Sequence, residues 1–238
     1  MIVNVSEINP ARLLWGRKLQ KGKVGNAGTR EARKYIDIIT AFDIETCACP
    51  ELPDNAMMYV WQWAFYYPDK PEDYTVVIGR TWQELREFIH DLLPAVRAYD
   101  AKASMVVLVH NLAYEFQFLR TIYPFEPSEV FCLASRKPAK ATMHGKALEF
   151  RCTYIHSNMS LAQYTKKMGA KHCKLSGEDY DYKKTRYPWT ELTEQEIAYC
   201  VHDVIGLCEA YDLEMQLDHD RLATMPLTST GYVRRICK

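Results

Sequence analysis

The run MVVLVH at residues 105–110 constrains the fold of this chain more than any other feature. Its apolar part has the length of a strand and is too short for a typical helix. An unbroken apolar strand is typical of a sheet with helices on both faces, because neither face of such a strand meets water. The segment NLAYEFQFLRTIY that follows has the pattern of a helix. We therefore expect a central sheet covered by helices.

Turn residues and capping boxes divide the rest of the chain into further strands and helices. Thr81 with Glu84, and Thr193 with Glu196, are spaced as capping boxes and open two long amphipathic helices. Gly169 is expected to end a shorter helix. Strands are predicted at residues 35–46, 57–67, 74–78, 128–134 and 147–155, and an irregular stretch at 170–191. The predicted fold class is α/β, a single layered domain with a mixed central sheet flanked by helices.

The composition is that of an ordinary globular protein. Of 238 residues, 48% are hydrophobic and 25% are charged, unlike the composition of disordered chains. The sequence has no run of about 18 apolar residues, and its first residues lack the pattern of a signal peptide. We expect a soluble, cytoplasmic protein without a membrane partner.

Charge is unevenly distributed along the chain, although the formal net charge is zero. Residues 1–34 carry eight basic side chains, and their acidic residues are Glu7 and Glu31. This segment is predicted to be a basic N-terminal arm with a GKVGNAG turn. A solvated, partly flexible leader and an arm that contacts phosphate groups both fit such a sequence.

Several carboxylates occur where a packed core accepts them only if they are paired or bind a metal ion. In the predicted first strand, Asp43 and Glu45 of FDIET are two residues apart and point to the same face. Glu115 lies about one turn into the helix that follows the central strand. Tyr199 and Asp203 are four residues apart on the last long helix and share a face. Clustered carboxylate oxygens are typical of a site for divalent cations.

Each of these groups also has an ordinary structural interpretation. The two strand carboxylates fit an exposed edge strand, Glu115 fits a solvated helix surface, and Tyr199 fits a core position. Short motifs match by chance often enough that no single one of them decides the matter. Their order along the chain and their contexts favour a common site.

Three patterns follow one another in the sequence: D-x-E in the first strand, HNLAYE after the central strand, and Y-x-x-x-D in the last long helix. This set resembles the three exonuclease motifs of family B DNA polymerases and of the wider DEDDy exonucleases. The finer resemblance is to the proofreading domain of phage protein-primed DNA polymerases, and it covers roughly residues 35–220. The residues that carry it are Thr46 after the D-x-E, Ser160 and Leu161 before a basic helix, and Lys174 ahead of the segment GEDYDY.

The resemblance implies a ribonuclease H-like (DnaQ-like) fold and a 3′→5′ exodeoxyribonuclease that uses two divalent ions, Mg²⁺ or Mn²⁺. Tyr199 would orient the attacking water, and Lys174 would stabilise the charge that develops on the phosphate. The product would be a nucleoside 5′-monophosphate. The residues expected to hold the ions are Asp43, which would bridge them, Glu45, Glu115 and Asp203.

The expected partner is the frayed 3′ end of single-stranded DNA, and the expected location is the host cytoplasm if a phage encodes the protein. The family positions that hold this end correspond to Thr46, Asn111, Tyr114, Ser160 and Leu161. The tyrosine ring is available there for base stacking. Basic clusters at 136–146 and 166–174 fit contacts with the DNA backbone and a solvated surface equally well.

The chain departs from the family pattern at two points. Glu115 stands where the second motif often has Asp, so the side chain is longer by one methylene group. The sequence ends just beyond PLTSTGYVRR, where the polymerase domain of the family would begin. We therefore expect a basic arm at 1–34, an exonuclease domain at 35–220 and a tail at 221–238. This polypeptide is expected not to synthesise DNA, and a separate polymerase chain is a second expected partner.

Two other functions stay open at this level. The first alternative is an exonuclease that trims RNA 3′ ends, because DEDDy chemistry also acts on RNA. Recognition of the 2′-hydroxyl, which distinguishes RNA from DNA, is not readable from these residues. The second is a non-catalytic fragment of a split polymerase that binds DNA ends or a partner chain. The intact set of acidic residues favours an enzyme over a purely binding role.

Overall fold

The computed structural model describes residues 1–24, 31–176 and 184–237, without the side chains of residues 23, 24, 31 and 52–54. Most of the GKVGNAG turn and the whole of the GEDYDY segment lie outside the described residues.

The described strands form one mixed sheet of ten strands. Their order is β1-β6-β5-β4-β7-β10-β9-β8, and β3 of the β2–β3 hairpin also pairs with β7. The central strands β4, β7 and β10 run parallel, and β5 pairs with β4 in the antiparallel direction. The strands are β1 (Ile2–Asn4), β2 (Leu19–Val24), β3 (Glu31–Ile36), β4 (Ile39–Cys49), β5 (Leu52–Tyr66), β6 (Thr75–Gly79), β7 (Ala103–Val109), β8 (Val130–Cys132), β9 (Pro138–Met143) and β10 (Leu148–Cys152).

Helices cover both faces of the sheet. The first core lies between the sheet and helices α2 and α3, and the second lies between the sheet and helices α5 and α6. Within the described ranges, no helix combines the length and the apolar character needed to cross a membrane. The helices are α1 (Pro10–Leu13), α2 (Trp82–Tyr99), α3 (Leu112–Ile122), α4 (Thr153–Ser157), α5 (Leu161–Met168), α6 (Glu194–Leu217) and α7 (Ser229–Ile236).

The predicted α/β class is confirmed, and the long elements lie where the sequence places them. The capping boxes at Thr81 and Thr193 open α2 and α6. Gly169 ends α5 with a positive φ of 77°, a conformation that glycine adopts without strain. Residues 105–109 of the apolar run MVVLVH lie in β7, and every residue of this strand is buried.

Three details differ from the prediction. The expected strand at 35–46 is two strands, because the chain bends at Asp37 and Ile38 between β3 and β4. The expected strand at 147–155 stops at Cys152, where α4 begins. Strand β9 was not predicted, since its sequence PAKATM has few of the bulky residues that favour strands. Its pairing with β10 across a turn supplies the order that local propensity does not.

The N-terminal segment is packed onto the sheet. Strand β1 pairs in parallel with β6, and Leu13 and Leu14 are 3% and 1% exposed. Arg17 forms an ion pair with Asp69 at 2.6 Å. Residues 1–24 therefore differ from the solvated leader that the sequence also allowed, because Leu13 and Leu14 are buried in the core that contains α2 and other apolar side chains of this segment pack against it. The domain limits at residues 34 and 220 stay predictions.

The irregular segment at 170–174 lies directly against α6. A methyl group added to Gly206 would come within 1.9 Å of the backbone oxygen of His172. The backbone N–H of His172 donates to Glu209 Oε2 at 2.8 Å, one turn further along α6. This close approach fixes the position of Lys174 at the end of the segment.

Replacing Gly206 with alanine is expected to destabilise the protein, although alanine normally favours a helix by about 1 kcal/mol over glycine. The added methyl group would overlap backbone atoms, so the segment must move. We expect the free energy of unfolding, measured by urea titration with circular dichroism, to fall by about 1–3 kcal/mol. A raised midpoint would mean that the segment does not lie against α6.

Candidate metal centre

Strand β4 carries two carboxylates on the face that α6 covers. Ile39, Ala41 and Cys47 of this strand belong to the core on that side. Asp43 and Glu45 occupy the positions between them in the same alternation, so they point to the same face. Both carboxylate side chains are partly exposed.

Asp203 reaches the same place from α6. It is 5% exposed and lies in the middle of the helix. Carboxylate oxygens of Asp43, Glu45 and Asp203 lie within 4.8 Å of one another. The structure therefore brings together acidic residues that are 160 positions apart in the sequence, from 43 to 203.

Glu115 approaches from the first turn of α3. It is 4% exposed, and its carboxyl group lies next to that of Asp43. Its Oε2 atom is buried and has no hydrogen-bond partner among the described residues. The glutamate that departs from the family pattern thus still reaches the acidic cluster.

Gln62 of β5 lies directly opposite Asp43 in the ladder between β4 and β5. Its side chain is fully buried, and its Nε2 donates to Asp43 Oδ2 at 2.8 Å and lies 3.5 Å from Glu45 Oε1. Gln62 is not among the site residues that the sequence predicts. The available signal was its position as a lone amide within the apolar strand MMYVWQWAFYY.

Lys174 and Tyr199 complete the cluster on the α6 side. Lys174 Nζ donates to Asp203 Oδ2 at 2.5 Å and lies 4.7 Å from the centroid of the Tyr199 ring. Tyr199 is 5% exposed and precedes Asp203 by one helical turn. One lysine therefore contacts both residues of the third motif.

Burial raises the pKa of every carboxyl group in the cluster, and mutual repulsion adds to this effect for Asp43, Glu45 and Glu115. Burial, together with the negative charge of Asp203, raises the pKa of Asp43 to about 7, and Lys174 only partly offsets this. The pKa values of Glu45 and Glu115 are raised well above the usual value by burial and by the charge of Asp43. Burial also raises the pKa of Asp203 despite its ion pair with Lys174. The positive charge of Lys174 alone therefore does not neutralise the negative charge of the carboxylates.

A divalent cation fits this set of donors. Asp203 Oδ1, like Glu115 Oε2, is buried without a hydrogen-bond partner in the described part of the chain. Buried charged oxygens are costly unless they are paired or bind a metal. Carboxylate oxygens are the ligands that Mg²⁺ and Mn²⁺ prefer. The cluster therefore has both the donor chemistry and the unsatisfied oxygens of a metal site.

Thr46 and Tyr114 lie on the α3 side of the cluster. Their hydroxyl oxygens are 2.6 Å apart, and the Tyr114 ring is 5.3 Å from the ring of Phe118. Asn111 is exposed at the start of α3 and makes no side-chain capping bond. These polar and aromatic groups form a partly exposed surface next to the carboxylates.

Ser160 and Leu161 lie at the start of α5. Ser160 caps this helix together with Gln163, and Leu161 is 8% exposed in the core on the α6 side. The backbone of Met159 lies beside the imidazole of His110 at the end of β7. The start of α5 is therefore next to the strand that leads into α3.

The mixed sheet with helices on both faces is an α/β fold of the kind that the ribonuclease H-like architecture requires. No family model and no curated protein matches the sequence. Among solved structures, the chain is similar to Phi29 DNA polymerase. The TM-score is 0.58 with 14% identity over 83% of this chain for an orthorhombic crystal form. It is 0.56 with 15% identity over 78% for a complex with single-stranded DNA. For a ternary complex with primer-template DNA and incoming nucleotides it is 0.55, again with 15% identity over 78%.

The chain spans about a third of the length of these polymerase chains, between 32% and 33%. Similarity at such low sequence identity shows the fold. It confirms the ribonuclease H-like architecture expected from the sequence, and the functions of the individual site residues stay proposals.

Replacing Asp43 with asparagine is expected to stabilise the metal-free protein at pH 8. Because the folded-state pKa of about 7 exceeds the usual 3.8, the ionised group opposes folding above pH 7, and this cost is lost as the pH falls through 7 towards 4. In EDTA, we expect the free energy of unfolding to rise by about 1–2 kcal/mol at pH 8, and by less at pH 5. Adding Mn²⁺ should reverse the order of the two proteins, since the wild-type site binds the ion more tightly. Equal stability at pH 8 in EDTA would contradict the charge repulsion described above.

Replacing Gln62 with leucine is expected to weaken Mn²⁺ binding about tenfold, as loss of a residue that orients a ligand does elsewhere. The measurement is isothermal titration calorimetry of the folded protein. Gln20→Leu is a matched control, because Gln20 Nε2 also donates to a carboxylate, Asp37 Oδ1 at 2.6 Å. Both glutamines have a buried Oε1 without a hydrogen-bond partner among the described residues. Equal Mn²⁺ affinity in the two variants would show that Gln62 does not orient a metal ligand.

Proposed function

We propose that this chain is a metal-dependent 3′→5′ exonuclease that removes nucleoside 5′-monophosphates from DNA, with a preference for single-stranded 3′ ends, as in polymerase proofreading. The observation that carries the proposal is the acidic cluster itself, in which Glu115 Oε2 and Asp203 Oδ1 are buried without a hydrogen-bond partner among the described residues. The order of the three motifs and the likeness of fold to a DNA polymerase support the same conclusion. The domain limits of 35–220 and a separate polymerase chain as partner belong to this proposal.

The carboxylates of Asp43, Glu45, Glu115 and Asp203 would hold the divalent cations on which hydrolysis depends. Two divalent ions at such a site supply an activated water, neutralise the phosphate oxygens and stabilise the departing 3′ oxygen. Asp43 lies beside both the Glu45–Asp203 pair and Glu115, so it would contribute to binding of both ions. Gln62 fixes the orientation of Asp43 through its 2.8 Å hydrogen bond.

Tyr199 and Lys174 are the proposed partners of the attacking water and of the phosphate group, respectively. A tyrosine hydroxyl orients water without removing its proton, because phenols ionise only near about pH 10. Lys174 is anchored by Asp203 and places a positive charge beside the site of the phosphate. Positive charge there stabilises the negative charge that develops in the transition state.

The 3′ end of the substrate lies on the α3 side of the cluster in this proposal. Thr46 and Asn111 offer polar groups, and the partly exposed Tyr114 ring offers a face for a base. Ser160 and Leu161, at the start of α5 and near the end of β7, are the other proposed contacts of the DNA strand. The choice of DNA over RNA rests on the likeness of fold to Phi29 DNA polymerase.

The decisive experiment is digestion of a 5′-labelled single-stranded DNA by the purified chain with Mg²⁺ or Mn²⁺, and with EDTA. We expect a metal-dependent ladder that shortens from the 3′ end, and a loss of about a thousandfold or more in Asp43→Ala. Asp212→Ala is the matched control, because Asp212 is a buried acid on α6 outside the cluster. Full activity of Asp43→Ala would rule out the site assignment, and faster digestion of matched RNA would favour the RNA alternative.

Replacing Tyr199 with phenylalanine is expected to lower kcat about tenfold to a hundredfold while KM changes little. The hydroxyl orients water in the transition state, whereas the ring that packs on Lys174 is retained. Steady-state kinetics on the same labelled DNA measure both constants. Equal losses in turnover and in binding would indicate a purely structural tyrosine.

A further inference from the structure

A pair of aromatic rings, Tyr187 partly exposed and Trp189 exposed, lies on the loop before α6. The rings of Tyr187 and Trp189 are stacked, with centroids 4.9 Å apart and planes 4° from parallel. Trp189 is nevertheless 79% exposed. Its indole therefore rests on the tyrosine with one face and presents the other face to solvent.

The backbone that carries these rings is held in place. Thr190 N–H donates to the Tyr187 carbonyl, and Tyr187 N–H donates to Thr190 Oγ1, both at 2.9 Å. Arg80 Nη2 donates to the carbonyl oxygens of both residues, at 3.1 and 2.7 Å. The neighbouring Arg186 is buried in an ion pair with Glu196 at 2.5 Å. A ligand that stacks on Trp189 therefore loses little affinity to ordering of the loop.

The loop lies next to the acidic cluster. Cys47 Sγ donates to the carbonyl of Arg186 at 3.1 Å. Cys47 follows Glu45 on the same face of β4, about 7 Å further along the strand. Trp189 is three residues beyond Arg186, at most about 11 Å of extended chain. The open indole face is thus within reach of a short single strand whose end lies in the cluster.

We propose that Trp189, supported by Tyr187, is a stacking platform for a nucleobase of the single strand whose 3′ end enters the acidic cluster. The inference rests on the proposed function. Bases are planar, and every base has a face that stacks on an aromatic ring, so the contact is tolerant of sequence. Tyr187 Oη lies 3.5 Å from Glu51 Oε1, and the indole that Trp189 presents to solvent carries no charge. The contact is therefore with the base and not with the phosphate, and its strength is insensitive to salt.

The test is equilibrium binding of a fluorescent single-stranded oligonucleotide in EDTA, where no cleavage occurs. We expect Trp189→Ala to weaken binding about tenfold at both low and high salt, and Trp189→Phe to retain most of the affinity. Trp15→Ala is the matched control, because Trp15 is 84% exposed and lies outside the loop. Unchanged affinity of Trp189→Ala, or no measurable binding by the wild-type protein, would overturn the platform.

Abasic sites placed one at a time from the 3′ end identify the stacked base. We expect one position at which the missing base weakens binding by the wild-type protein and has no further effect on Trp189→Ala, the signature of a direct pairwise contact. Equal losses in both proteins at every position would contradict the stacking. Because binding in EDTA requires no catalysis, a chain that binds in this way without cleaving DNA would refute the proposed exonuclease and leave the platform standing. A chain that cleaves DNA while Trp189→Ala binds normally would do the reverse.

Discussion

Repulsion among clustered carboxylates is the interaction on which the rest of this structure depends. Asp43 and Glu45 on β4 meet Asp203 on α6, and the negative charge of the cluster exceeds what Lys174 neutralises. A fold keeps such a cluster only if other interactions pay its cost, since like charges in a poorly solvated place oppose folding. The large apolar cores on both faces of the sheet supply that stabilisation.

The position of β4 explains how the cluster is held rigidly. The strand pairs with β5 along its length, including at Asp43 and Glu45, and with β7 at Thr40 and Ala41, so its backbone is held in place at the cluster. From β5, Gln62 holds Asp43 across the ladder. On the other side, the absence of a side chain at Gly206 lets the segment at 170–174 approach α6 and deliver its lysine. Backbone pairing and close packing thus position the polar groups that chemistry requires.

The two sides of β4 carry residues with different proposed roles. The α6 face carries the carboxylates, Tyr199 and Lys174. The α3 side carries Thr46 and Tyr114, which offer a hydroxyl group and a ring to the end of a strand. Glu115 links the two sides through its contact with Asp43. In the proposed function, a single strand of the sheet would therefore support both hydrolysis and the holding of the substrate.

The sequence by itself determined the features that depend on neighbours in the chain. Alternation in β4 places Asp43 and Glu45 on one face, the helical repeat aligns Tyr199 with Asp203, and Thr193 marks the start of α6. The class of fold followed from the same local patterns and from the buried run in β7.

Only the tertiary structure decided which distant residues meet. The register of β4 and β5 sets Gln62 against Asp43, and the packing of the N-terminal residues depends on apolar contacts with α2 that no local pattern specifies. Likewise β9 becomes a strand by pairing with β10, although its own residues have weak strand propensity. The physical reason is that local periodicity depends only on consecutive residues. The register of strands and the close approach of two segments depend on packing between parts of the chain that are far apart in sequence.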